Sequence, residues 1–475
     1  MLFNSLDYIL FLGFAVAGFW LLARHAQARL VFVFMASCLF YMAWHPAYIV
    51  LILGSTLIDF VVGLRIHATE DDRTRKRWLI LSLTSNLGLL GLFKYFNFTS
   101  QATADVLQLF FGITIQNPPF LDVLLPVGIS FYTFQTLSYT IDIYRRKLEP
   151  TRNFFEFAFF VTYFPQLVAG PIVRASQLLP QLQRKISLKD DQVTQGLFLI
   201  ATGMVKKVAI ADYLSVNLVD RVFDQPDLYS GAEVVVALYG FTMQIYCDFS
   251  GYTDVARGSA KLMGLELPEN FDRPYQSASP AEFWRRWHMT LSTWLRDYLY
   301  YPLGGSHVGP ARAYWNLWLT MFLIGIWHGA SWTFVFYALL QSMAMVMHRF
   351  FYRRAGRTRD TVDSWHVHAF KVFWALQFVV FSRILFRATS LDNAADVTAR
   401  LGSGTFSLGQ ISTGVWLLLL TTFVAHYTPK RWFDSVELRF TALPAPAQGV
   451  TLAAVGIALS LVATSQVVPY IYFQF

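Results

Sequence analysis

Two stretches of this chain carry imidazoles where water is scarce. Residues 321–337 read MFLIGIWHGASWTFVFY, an apolar run with His328 between Trp327 and Gly329. A neutral imidazole is cheaper to bury than a carboxylate or an ammonium, and it both takes and gives a proton near neutral pH. Burial alone leaves three readings open: a packed core histidine, a station on an ion path, or a catalyst. Gly325 and Gly329 bare one strip of the helix, so a second backbone or a thin substrate chain has room to approach there.

The second stretch is 282–301, EFWRRWHMTLSTWLRDYLYY. It holds neither Pro nor Gly and reads as one helix. Arg285, His288, Ser292 and Arg296 recur at the spacing of one face, and Trp284, Trp287, Leu291, Trp294 and Tyr298 form another. This is an amphipathic helix lying in the membrane interface, or the edge of a polar chamber in which Arg285, His288 and Arg296 receive an anionic substrate. A third cluster, QIYCDFSGYTDVAR at 244–257, sets Asp248, Ser250, Tyr252 and Asp254 directly after an apolar run, with Arg257 close by. It reads either as a structural network of Asp–Arg pairs and helix caps or as carboxylates that orient a catalytic histidine. No histidine pair has metal-ligand spacing, and there is no G-x-S-x-G, P-loop or dinucleotide fingerprint.

The elements that must hold these groups follow from composition. Of 475 residues, 55% are hydrophobic and only 14% charged, where a soluble globular chain carries about 25%. Apolar runs fall near 6–23, 30–46, 47–64, 78–96, 122–142, 154–172, 194–215, 230–248, 313–332, 333–350, 369–386, 413–426 and 447–464. The fold class is therefore all-α, a polytopic integral membrane protein forming one unit over 1–475. Some runs are short or interrupted by Pro and Gly, so about eleven transmembrane helices are expected, with re-entrant and amphipathic helices besides.

The net charge of +8 does not indicate nucleic-acid binding, because the basic residues sit in short loops between apolar runs. Arg65, Arg73, Arg75, Lys76 and Arg77 mark one such loop, and Arg353, Arg354, Arg357 and Arg359 another. Arg145, Arg146 and Lys147 end a span, and Lys430 and Arg431 separate the last two. All should be cytoplasmic. Residues 97–122 lack Lys and Arg and 388–412 carry only Arg400, so both should face outward. The alternation puts both termini on the extracytoplasmic side. The N-terminal MLFNSLDYILFLGFAVAGFWLLAR reads as a retained first transmembrane helix rather than a signal peptide. The C-terminal aromatics read as an anchor at the outer interface. Cys38 and Cys247 are isolated in apolar context, and no disulfide framework is expected.

Taken together, LPVGISFYTFQTLSYTIDIYR (125–145), FFVTYFPQLVAGPIVR (159–174), QIYCDFSGYTDVARG (244–258), ENFDRPY (269–275), FWRRWHMTLSTWLRDYLYYPLGG (283–305) and GIWHGASW (325–332) resemble, in order, the membrane-bound O-acyltransferase superfamily. The resemblance lies with the bacterial branch that includes the membrane subunit of alginate O-acetylation. Teichoic acid D-alanyl transferase and peptidoglycan O-acetyltransferase are cousins in that branch. The resemblance implies a ring of helices around a thin central catalytic funnel. It implies that His328 is the signature catalytic residue and His288 the second hallmark. It further implies a cytoplasmic acyl thioester, acetyl-CoA above all, as donor substrate with no bound cofactor and no metal. The acyl group then crosses the bacterial inner membrane to modify an extracytoplasmic polysaccharide such as alginate. The partners implied are a periplasmic SGNH-type acetyltransferase protein, other subunits of a polysaccharide-modification complex and membrane lipid, with no nucleic acid. On this reading His328 is the base, Arg285, Arg296, Trp327 and Asp248 hold donor or substrate, Asp254 is a supporting carboxylate, and Tyr472 is a candidate acyl carrier. The rival class is a transporter or flippase subunit of an export complex, whose polar residues would line a path without acyl chemistry.

Overall fold

In a computed structural model of the chain, the apolar runs become helices. The structure describes residues 1–184, 187, 190–357, 361, 363–463 and 468–471. The main helices are α1 (Leu6–Leu21), α2 (Ala26–Met42), α3 (Ile49–Ala68), α4 (Asp72–Leu90), α5 (Phe96–Phe111), α6 (Ile129–Tyr144), α7 (Phe154–Thr162) and α8 (Ala175–Gln183). They continue with α9 (Asp190–Met204), α10 (Gly231–Leu262), α11 (Pro280–Arg286), α12 (Met289–Leu295), α13 (Pro310–His328), α14 (Trp332–Arg354), α15 (Trp365–Arg387), α16 (Leu391–Leu401), α17 (Thr413–Tyr427), α18 (Lys430–Thr441) and α19 (Ala445–Val462). Among the described residues there is no strand.

Among the described residues, five helical stretches are long and apolar enough to cross a membrane: Pro46–Ala68, Asp72–Phe111, Trp332–Arg354, Trp365–Arg387 and Ala445–Val462. That number is below the eleven expected from hydropathy. One cause is interruption: the run at 154–172 ends as a helix at Thr162 and resumes as a single turn at Phe164–Leu167, with Pro165 at its start. Another is the passage of α9 into π-helical turns at Val205–Asp212. The stretches 97–122 and 388–412, expected as loops, hold α5 and α16.

The chain divides into two compact units, Asp7–Ser187 with Met1, and Leu2–Leu6 with Leu188–Phe475. In the first, α3, α4 and α6 pack together around a polar seam. Asp59 is buried there and accepts hydrogen bonds from Ser82 Oγ (2.6 Å) and Asn86 Nδ2 (2.8 Å), while Thr136 donates to Asn86 Oδ1 (3.2 Å). These polar atoms find their partners on neighbouring helices, as apolar surroundings require.

The second unit is organised by close backbone approach. Helices α9 and α10 cross antiparallel through two glycine pairs. A Cβ on Gly203 would stand 2.6 Å from the Gly251 carbonyl oxygen, and one on Gly251 would stand 2.7 Å from that of Gly203. Gly196 and Gly258 repeat the pairing two turns away, at 3.0 and 2.5 Å. Small residues that let helix backbones touch are a recurrent packing device in membrane proteins. The 32-residue α10 starts at a reciprocal cap, in which Ser230 Oγ accepts from Glu233 N–H (3.2 Å) and the Glu233 carboxylate accepts from Ser230 N–H (2.8 Å).

Helices α13 and α14 form a hairpin turning at Gly329–Ser331. Of the two occupants expected for the glycine strip, a second backbone is the one found: Gly325 lies against Ala338 and Gly329 against the Phe334 ring. Both cysteines are buried thiols.

The glycine crossing yields a paired test. A methyl placed on Gly88, inside α4, would meet nothing within 4 Å, whereas one on Gly251 would face a backbone oxygen at 2.7 Å. Gly88→Ala should raise stability by roughly 0.5–1 kcal/mol by restricting the unfolded chain. Gly251→Ala should lower it by about 1–3 kcal/mol through overpacking. Melting temperatures of the purified variants check this, and shifts of equal sign would contradict the crossing.

Candidate active site

His328 closes α13. Its ring is 2% exposed, and Nδ1 lies 2.7 Å from the Ile324 carbonyl oxygen one turn back. A carbonyl only accepts, so Nδ1 carries the proton. In the neutral ring Nε2 is then the basic nitrogen. Aromatic rings wall the imidazole, among them Trp327 (5.1 Å between centroids), Phe386 (5.4 Å), Trp284 (6.3 Å) and Tyr337 (6.4 Å).

His288 comes from the stretch expected to be one helix, and the structure breaks that helix at this residue. Helix α11 stops at Arg286, His288 adopts φ 43° and ψ 55°, and α12 begins at Met289. Left-handed backbone at a side chain this bulky costs roughly 1–2 kcal/mol and needs outside support. Asn270 provides it. Its carbonyl accepts from Met289 N–H (3.0 Å), and its Oδ1 accepts from Thr290 N–H (3.1 Å) and Thr290 Oγ (2.9 Å). The same Oδ1 lies 3.1 Å from His288 Nδ1. The backbone N–H of Thr290 can only donate, which fixes this Asn270 atom as the oxygen and places the proton of His288 on Nδ1. Both histidines are thus held by Nδ1–H.

The break turns His288 inward. It is fully buried, with Phe249 edge-on at 4.8 Å and Trp327 at 5.6 Å. Trp327 therefore touches both imidazoles. Arg285 and Arg296, foreseen on the same face as His288, are not brought to it. Both are exposed, and Arg296 pairs with Asp297 at 2.8 Å. The amphipathic pattern holds only within each half of the stretch. Trp284 is held by its Nε1–H to Gln341 Oε1 (3.3 Å), and Gln341 Nε2 donates to Ser382 Oγ (3.2 Å). This chain of contacts ties α11 to α14 and α15.

Asp248 and Asp254 lie within α10. Asp254 pairs with Lys206 at 2.6 Å. Asp248 pairs with the fully buried Lys207 at 2.6 Å, and Lys207 also meets Asp212 at 2.7 Å. The second oxygen of Asp248 accepts from Ile471 N–H at 2.9 Å. Tyr470 faces Lys207 at 4.5 Å and Tyr252 edge-on at 4.4 Å, while Phe3 stacks on Tyr252 at 4.2 Å. Tyr470 is buried within this unit, so it is no lipid-facing anchor. Tyr472 lies outside the described residues.

Sequence reasoning missed Asn270, Lys207 and Arg383. Asn270 lies in the quoted motif ENFDRPY but faces its partners 18 to 20 positions away, which no local pattern encodes. Lys207 and Arg383 did leave a signal, a cation inside an otherwise apolar run.

The model of the MBOAT, membrane-bound O-acyltransferase, family matches residues 148–389, which include both histidines. The chain is similar to the probable alginate O-acetylase AlgI of Pseudomonas putida, 36% identical over 94% of this chain and 90% of the relative. It is similar to the peptidoglycan O-acetyltransferase of Helicobacter pylori, 35% identical over 84% of this chain and 79% of that one. A more distant likeness is to the teichoic acid D-alanyltransferase of Bacillus subtilis, 28% identical over 47% of this chain and 59% of the relative. With its apolar helices, its paired buried histidines and these likenesses over most of its length, the chain belongs to the membrane-bound O-acyltransferase family and is a multi-pass membrane O-acyltransferase.

Proposed function

We propose that this protein transfers an acetyl group from a thioester to a hydroxyl, with His328 as general base, and serves the O-acetylation of an extracytoplasmic polysaccharide such as alginate. The observation that carries the proposal is the buried Nδ1–H···O=C bond of His328, which leaves Nε2 as the basic nitrogen in an aromatic-walled site. The acceptor oxygen attacks the thioester carbonyl carbon while Nε2 takes the hydroxyl proton. The carbonyl electron pair moves to oxygen, then returns to expel the thiolate. The imidazolium gives its proton to the departing sulfur, and His328 ends as it began. A thioester is already activated, so no metal is required.

His288 shares Trp327 with His328, which supports a role at the other end of the reacting group. The relatives' names support acetyl as the group transferred, and acetyl-CoA is the donor in this proposal. Cytoplasmic supply of it, an inner-membrane location with both termini outside, and delivery to a periplasmic SGNH-type partner are parts of the same proposal. So is a carrier role for Tyr472. The seating of residues 468–471 by Asp248 and Lys207 supports a C-terminal segment held at a fixed place in this unit. Transport without chemistry would not need two buried imidazoles with matched proton positions. Arg285 and Arg296 are exposed and remain candidates only for the phosphates of the donor outside the buried site.

His328→Ala should lower acetyl transfer from radiolabelled acetyl-CoA by about 10²–10⁴-fold, with the protein still inserted and monodisperse. Wild-type turnover in that variant would sink the base assignment.

Asn270 is a positioning residue, acting through His288. Asn270→Ala strands three donors, Thr290 N–H, Thr290 Oγ–H and His288 Nδ1–H. It should lower kcat by roughly 10–100-fold, the range seen when the partner that orients a functional histidine is removed. The KM for acetyl-CoA should change little. A kcat unchanged from wild type in a destabilised variant would make Asn270 a support of the fold alone.

A further inference from the structure

Arg383 lies on α15, one turn before Phe386, and is 1% exposed. Its guanidinium carbon is 4.9 Å from the Trp287 ring centroid and 5.1 Å from that of Phe386. The head group also rests against the Tyr275 hydroxyl. Its Nε and Nη2 are buried and meet no hydrogen-bond acceptor among the described residues, and no carboxylate pairs with it there.

Two other cations of this unit, the buried Lys207 and the half-buried Arg387, are treated differently. Lys207 has two carboxylates, at 2.6 and 2.7 Å, and Arg387, one turn further along α15, has Asp220 at 2.6 Å. A guanidinium is a permanent cation, and burying one without an anion is costly. Two aromatic faces offset part of that cost, but they leave the Nε–H and Nη2–H donors unused. Unsatisfied buried donors in a native structure call for an explanation. Phe386 supplies a location: its ring touches the Arg383 guanidinium on one side and the His328 ring, at 5.4 Å, on another. Trp287 gives a second link, since it immediately precedes His288.

We propose that Arg383 is the electrophilic partner of His328, its Nε–H and Nη2–H receiving the negative charge that forms on the acyl carbonyl oxygen. This rests on the reading of His328 as base. As the acceptor oxygen bonds to the carbonyl carbon and its proton passes to His328 Nε2, the carbonyl π pair becomes an oxyanion facing the guanidinium. When the carbonyl re-forms, the pair returns, the carbon–sulfur bond breaks and the thiolate takes the proton from His328. Arg383 keeps all its protons throughout. A fixed cation that has no anion among the described residues at rest and meets one in the transition state stabilises the second more than the first, which is what lowers a barrier.

The test uses the full-length protein in lipid nanodiscs, with acetyl-CoA as donor and a mannuronate oligosaccharide as hydroxyl acceptor, following thiol release. Arg383→Gln should lower kcat by about 10²–10³-fold with the KM for acetyl-CoA within about threefold, because the donor's ground state does not carry the charge. Arg383→Lys keeps the cation but loses the fork, and should recover part of the loss, about tenfold. A kcat for Arg383→Gln within about threefold of wild type overturns the proposal. So does a loss that tracks KM alone. If Arg383→Gln does not fold, a folded Arg383→Lys variant with wild-type kcat overturns it as well. His328→Ala run beside these separates the two claims. An inactive His328→Ala with an active Arg383→Gln removes only the role of Arg383. An active His328→Ala with an inactive Arg383→Gln leaves the oxyanion role and removes the base.

Discussion

The Nδ1–H of His328 is given to the carbonyl of Ile324, one turn back in its own helix. That single bond satisfies the ring where burial would penalise an unmade one, and it decides which nitrogen can accept a proton. The rest of the site is arranged around the ring it orients. Trp284, Trp327, Tyr337 and Phe386 keep the ring in a dry enclosure, and the Trp284–Gln341–Ser382 contacts lock those walls to three helices. In such surroundings electrostatic interactions are stronger than in water, for the reacting groups as for the protein's own.

His288 shows the same principle with a different solution. A helix terminus supplies the carbonyl for His328, whereas a strained left-handed residue and a distant asparagine hold His288. Strain at a functional position is tolerated when surrounding bonds over-determine it, and Asn270 makes four contacts that do so. The carboxylates of α10 play another part. Asp248 and Asp254 neutralise Lys207 and Lys206 where α9 gives way to π-helical turns, and Asp248 also seats Ile471.

Much of the fold was legible in the sequence because hydropathy and helix punctuation are local. Nearly every apolar run became a helix, and burial cost marked His328 without choosing among its possible roles, which the ordered motifs did. What was not legible depended on contacts between distant segments. The stretch 282–301 has uninterrupted helical periodicity, yet tertiary bonds from Asn270 break it at His288 and send Arg285 and Arg296 to the surface. The glycines at 325 and 329 left room for a second backbone or a substrate chain, and it is the hairpin's returning helix that takes it, since a bare strip does not say what will cover it. Arg383 lay in plain view as a cation in an apolar run, but its lack of an anionic partner among the described residues is a property of the packed structure.

The central claim is that the thioester carbonyl reacts beside Nε2 of His328. The most direct measurement is a cryo-EM structure of the full-length protein with a non-hydrolysable acetyl-CoA analogue. The account predicts the analogue's carbonyl within reacting distance, about 3–3.5 Å, of the line between His328 Nε2 and an acceptor oxygen, inside the rings of Trp284, Trp327 and Phe386. An analogue whose carbonyl is bound elsewhere, with the His328 enclosure unaltered, would contradict it.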